Sequence, residues 1–122
     1  MIKWNDFEKI EMRVGTVIGI EDFPEAKKPA YKLTIDFGEL GIKRSSAQIT
    51  KLYNREELLN RQIIAVTNFP RKQIANFFSE CLVLGVVQND GAVVLLSVDQ
   101  KLQTGQGSAK SFPNNIRNRL TN

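Results

Sequence analysis

Between Asn68 and Ser79 the chain reads Asn-Phe-Pro-Arg-Lys-Gln-Ile-Ala-Asn-Phe-Phe-Ser. Two adjacent cations, Arg71 and Lys72, stand between Phe69-Pro70 on one side and Phe77-Phe78 on the other. Cations of this kind neutralise phosphates and release counterions. Flat rings stack on unpaired bases or meet apolar peptide. Asn68 and Ser79 carry polar groups suited to sugar or base edges of unpaired RNA. For Asn68 the competing role is a turn side chain bonded to its own loop. Lys43 and Arg44 add charge from an upstream strand-like segment, or serve as ordinary surface charge. Phe69 reads first as a core residue, with ligand contact as the alternative. Phe77 and Phe78 are adjacent, so in a strand they face opposite ways and one of them is exposed to a base or an apolar peptide. This is the chemistry of holding a flexible chain.

Bond-breaking chemistry has little to stand on. The sequence contains no histidine and one cysteine. That removes the commonest general base and the commonest metal ligand. No phosphate-binding glycine loop, dinucleotide turn or nucleophile elbow is present. Cys81 lies in an apolar run and reads as core filler. An enzyme is not expected, nor a metal or cofactor.

The elements that must position these residues suit a single small domain. The chain has 122 residues, 42% hydrophobic and 25% charged, in the ordinary globular range. No apolar run approaches the roughly 20 residues that cross a bilayer, so membrane insertion is not expected. The N-terminal residues lack the apolar stretch of a secretory leader, and a reducing cytoplasm is the expected setting. Net charge is +4, unevenly spread: residues 27–81 carry ten bases against five acids. Such a middle segment suits a polyanion partner or a solvated surface.

Asn5 is expected to cap a short N-terminal helix, with Glu8 three residues on. From Met12 to Ile20 the period becomes two, with Met12, Val14, Ile18 and Ile20 on one face and Gly15 and Gly19 on the other. Tyr31 to Phe37 alternates as a second strand, and Ile42 to Ala47 is a third. Ile49, Leu52 and Tyr53 fit one face of a helical turn, and 55–59 a second one. Strands follow over 62–67, 79–87 and 92–98, the last two joined at Asn89-Asp90-Gly91. This order and these lengths fit a mainly β fold, a five-stranded Greek-key barrel of the OB type with short helices at the N-terminus and between strands 3 and 4, although periodicity alone does not distinguish it from another small barrel. The domain is expected over 1–104. Residues 105–122 read as a basic, mostly disordered tail. Trp4 is expected to pack or to meet a second copy.

Several segments carry a resemblance. Asp6-Phe7-Glu8-Lys9, Met12 to Val17, Phe23 to Ala26, Lys32 to Gly38, Ser45 to Thr50, Asn68-Phe69-Pro70 and Ser79 to Gly85 lie in order across about residues 5–102. Together they resemble the CsaA-type secretion chaperones, within the wider family of tRNA-binding OB domains that includes domains appended to methionyl-tRNA synthetases. Ser45 to Thr50 points to the chaperone branch. The resemblance implies a non-catalytic cytoplasmic homodimer that binds tRNA and unfolded or export-bound polypeptides. A general RNA-binding module with no chaperone role is the alternative. It implies RNA contacts at Asn68, Phe69, Pro70, Ser79 and Leu82. Asn76 stands where the family usually has Gly, and residues after Gly105 depart from its pattern.

Overall fold

The organising element is an 11-residue strand, β1 (Met12–Asp22). It is preceded by a short helix, α1 (Trp4–Glu8), and pairs antiparallel with β2 (Tyr31–Asp36). A single 3-10 turn (Gly38–Leu40) leads to β3 (Ile42–Ala47). Then come α2 (Arg55–Leu58), β4 (Gln62–Val66), β5 (Lys72–Ile74), β6 (Phe77–Ser79), β7 (Leu82–Val83), β8 (Gly85–Val87) and β9 (Val93–Leu95). The computed structural model describes residues 1–102 and 116. The expected flexible tail over 105–122 therefore lies, apart from Ile116, outside the described residues. The Ile116 amide donates to the Met12 carbonyl at 2.7 Å.

Five strands form one antiparallel sheet in the order β3-β2-β1-β4-β7, and β5-β6 and β8-β9 are two-stranded ribbons. The sheet curls into a nearly closed barrel, and the mainly β OB-fold expected from the element order is the fold observed. Its core gathers Val17, Leu33, Ile35, Phe37, Leu58 and Ile63, each at most 1% exposed.

β1 departs from the simple alternation. Thr16 and Val17 lie opposite Asp36 and Ile35, but Gly19 lies opposite Thr34, so Ile18 is an extra residue in a bulge. The extra residue reverses which side faces inward. Val17 is fully buried and Ile18 is exposed, so Ile18 does not share the buried face expected for it. Gly15, expected on the outer face, turns inward: a Cβ there would stand 2.4 Å from Ile35 Cγ2.

Other boundaries shift for local reasons. The N-cap of α1 is Lys3, not Asn5, because the Asp6 carboxylate accepts the Lys3 amide at 2.9 Å. Residues 50–52 form a non-helical turn. Asn54 caps α2, accepting the Glu57 amide at 2.8 Å while Glu57 accepts that of Asn54 at 3.2 Å. The expected strand over 79–87 is broken into the end of β6, then β7 and β8. Residues 92–98 contribute only Val93–Leu95 to a strand. The Asn89-Asp90-Gly91 turn forms as expected, with Gly91 at φ 86° and the Asp90 carboxylate accepting the Ala92 amide at 2.9 Å.

Candidate binding site

The barrel closes between β3 and residues 79–81, and side chains do much of the closing. The Glu80 amide donates to the Arg44 carbonyl at 2.7 Å, and the Arg44 amide donates to the Glu80 carboxylate at 2.9 Å. The Ser46 amide donates to the Ser79 hydroxyl at 3.2 Å. The Ser45 hydroxyl donates to the Cys81 carbonyl at 2.9 Å. Two side-chain oxygens thus stand where a neighbouring strand would offer carbonyls. Burial pushes the Cys81 thiol up to about 11. It is therefore neutral near pH 7 and no nucleophile, as its reading as core filler requires.

Beyond this seam the two strands part, and a groove of about 690 Å³ opens. One wall is the edge from Ser46 to Ile49. The other runs from Leu82 to Val87, with Val93 and Leu95 behind it. Phe69, Pro70 and Lys72 form the rim. Of the residues expected to contact RNA, this groove brings together Phe69, Pro70, Lys72, Ser79 and Leu82. Phe69, read first as core, is 55% exposed, because β4 ends at Val66 and the chain has left the barrel before reaching it. The sequence pattern does not single out Gln48, Ile49, Val87 or Val93 for the site, yet all four line the groove. In the sequence Ser45 to Ala47 read as strand, Ile49 as one face of a helical turn, and Val87 and Val93 as parts of strands.

The β5-β6 ribbon has two different sides. Ile74 lies opposite Phe77 and Lys72 opposite Ser79, while Gln73 lies opposite Phe78. Phe77 is buried with Phe23 and Ala30, its ring edge-on to Phe23 at 5.4 Å. Phe78 is 43% exposed, so the expected division between the two rings holds. The Arg71 guanidinium lies 4.5 Å from the centre of the Phe78 ring. Arg71 and Phe78 therefore sit together on the side away from Lys72 and the groove.

The remaining candidates lie elsewhere. Arg44 lies 4.8 Å from the Phe77 ring centre and pairs with Glu21 at 3.3 Å, so part of its charge is met within the chain. Lys43 lies opposite the buried Ile35 and shares the inward side of β3 with Ser45 and Ala47. Asn68 is bonded not to its own loop but to the N-terminal arm. Its side chain accepts the Glu11 amide at 2.9 Å and donates to the Lys9 carbonyl at 2.6 Å. Thr67 completes this clamp, its hydroxyl donating to the Glu11 carboxylate at 2.6 Å. That bond and the one from Arg13 hold the Glu11 carboxyl below its usual range. Among the described residues no group of three or more metal-ligating side chains forms, and no helix is long and apolar enough to cross a membrane.

Residues 12–107 match the family model described as "Putative tRNA binding domain". The methionine–tRNA ligase of Pyrococcus abyssi is 34% identical over 105 residues, covering 85% of this chain and 14% of the ligase. The chain thus spans only a small part of such curated relatives. The crystal structure of chaperone CsaA from Bacillus anthracis str. Ames superposes with a TM-score of 0.82 at 54% identity, covering 87% of this chain and 96% of that one. The CsaA chaperone protein of Picrophilus torridus gives 0.80 at 57% identity, covering 87% and 97%. A MetRS-related protein of Pyrococcus horikoshii gives 0.75 at 27%, covering 86% and 94%. With its five-stranded barrel and a domain match over most of its length, the chain belongs to the tRNA-binding-domain family and, within it, to the CsaA type.

Proposed function

We propose that this protein binds tRNA and acts as a molecular chaperone for unfolded or export-bound polypeptides, as a homodimer in the cytoplasm and without catalytic activity. The observation that carries the reading is the two-sided ribbon. Arg71 on the exposed Phe78 ring offers a cation and a stacking surface together, which suits unpaired RNA. Lys72 supplies phosphate charge at the groove rim. The groove itself is mostly apolar, which suits an unfolded chain. Asn68 acts by holding the N-terminal arm beside the rim rather than by touching RNA. The homodimer reading rests on Val86 and Val94, opposite one another on β8-β9 and both exposed.

The test is a tRNA titration by fluorescence anisotropy at about 50 and about 200 mM salt. Affinity should fall steeply with salt. The Arg71→Glu/Lys72→Glu double variant should lose most tRNA binding at the lower salt. An unstructured apolar peptide should bind at both salt concentrations, since apolar burial does not weaken with screening. Unchanged tRNA affinity in the double variant removes the ribbon from this reading. tRNA binding without peptide binding leaves a general RNA-binding module with no chaperone role.

A further inference from the structure

Among the described residues, the strand edges that bound the groove still lack partners. Arg44 turns its amide and carbonyl away from β2 to meet Glu80. By the alternation of antiparallel pairing, Ser45 and Ala47 bond to β2, and the outward set continues at Ser46 and Gln48. The chain's own side chains fill the first stations: Glu80 takes the Arg44 amide and Ser79 the Ser46 amide. The next two are left. Among the described residues the Ser46 carbonyl meets only the Ser45 hydroxyl at 3.4 Å, whose shorter bond is to Cys81. The Gln48 amide has no hydrogen-bond partner among the described residues. Across the groove, the Leu84 amide donates to Ile64 at 2.9 Å. The trans peptide plane then turns the Val83 carbonyl the other way, off β4.

We infer that the groove takes an unfolded polypeptide as an added β-strand, running parallel to β3. This rests on the polypeptide reading above and specifies how that site works. An acceptor at Ser46 and a donor at Gln48 flank one residue, Ala47. A single residue of a parallel strand satisfies such a set, giving its N–H to one and its carbonyl to the other. Alternate side chains of the guest then enter the apolar space between Ile49, Leu82, Val87 and Val93. Charge favours this occupant over a nucleic acid. Among the described residues Lys72 is the one charged residue in the lining, whereas a polyanion needs several cations along its path. Recognition through the backbone also takes many sequences, as a binder of unfolded chains must.

The experiment uses the intact protein and a short dye-labelled peptide of alternating leucine and serine. Two further versions are N-methylated on alternate residues, one in each register. N-methylation in one register should weaken binding about ten-fold or more, and in the other should leave it within about two-fold. Hydrogen exchange of the Gln48 amide should slow when the parent peptide binds. If both methylated peptides bind like the parent and Gln48 exchange is unchanged, strand addition is wrong while polypeptide binding stands. If no peptide binds, the polypeptide reading fails and this inference with it. Slowed Gln48 exchange on adding tRNA instead of peptide overturns it in favour of a nucleic-acid groove.

Discussion

Single residues set the shape of the barrel and the attachment of its N-terminal arm. Gly15 faces inward where a Cβ would meet Ile35 Cγ2 at 2.4 Å and the Phe37 ring at 2.7 Å. Gly15→Ala should cost about 1–3 kcal/mol through overpacking, read as a lower urea midpoint with unchanged slope. Glu11 makes a prediction with a sign. Its folded pKa is depressed, first by the Thr67 hydroxyl and then by Arg13. The stability it adds is present above the ordinary carboxylate range and is lost as pH falls through the lowered value. Wild type should therefore be more stable than Glu11→Gln near neutrality, and the gap should narrow in chemical denaturation between about pH 5 and about pH 3. A constant gap would mean that Glu11 acts by shape, not charge. Neither role was legible in the sequence. Strict alternation from Ile18 and Ile20 places Gly15 outward, but one extra residue at Ile18 reverses it. The clamp joins residues 9–11 to 67–68, far apart along the chain.

At the scale of elements, the β5-β6 ribbon divides packing from binding between neighbouring rings. Phe77→Ala should cost about 3–5 kcal/mol, the range for deleting a core aromatic, measured by thermal or urea unfolding. Phe78→Ala should leave the fold intact and weaken tRNA binding by about 1–3 kcal/mol, the worth of one stacked base. Equal loss of stability in both variants would show that Phe78 packs rather than binds. The division was legible because adjacent strand residues must face opposite ways. Which ring goes inward was not, since that depends on Phe23 arriving from the loop before β2. Local signals served well where chemistry was local, as in the Asn89-Asp90-Gly91 turn. They failed over 79–87, where the chain closes the barrel, pairs with β4 and turns into β8 in quick succession.

For the whole molecule, the sequence order of helices and strands was enough to point to a small β-barrel and the family resemblance narrowed it to the OB type, whereas the groove was not legible. Its walls come from two strand edges, a ribbon and a hairpin that only folding brings together. The exposed Val86–Val94 pair carries the expectation for assembly. A fully buried valine contributes about 1.5–3 kcal/mol, and two-fold symmetry counts each one twice. Val86→Asp should shift sedimentation from dimer to monomer without unfolding the chain. A dimer unmoved by that change places the contact on another face. The seam between β3 and residues 79–81 has a consequence for descent. A ladder of backbone bonds cannot be edited by changing side chains, but Ser79, Glu80 and Ser45 are each encoded by a single codon. Mutation can therefore loosen or tighten the seam one bond at a time, and lineages can diverge in the width of the cleft while inheriting the same barrel.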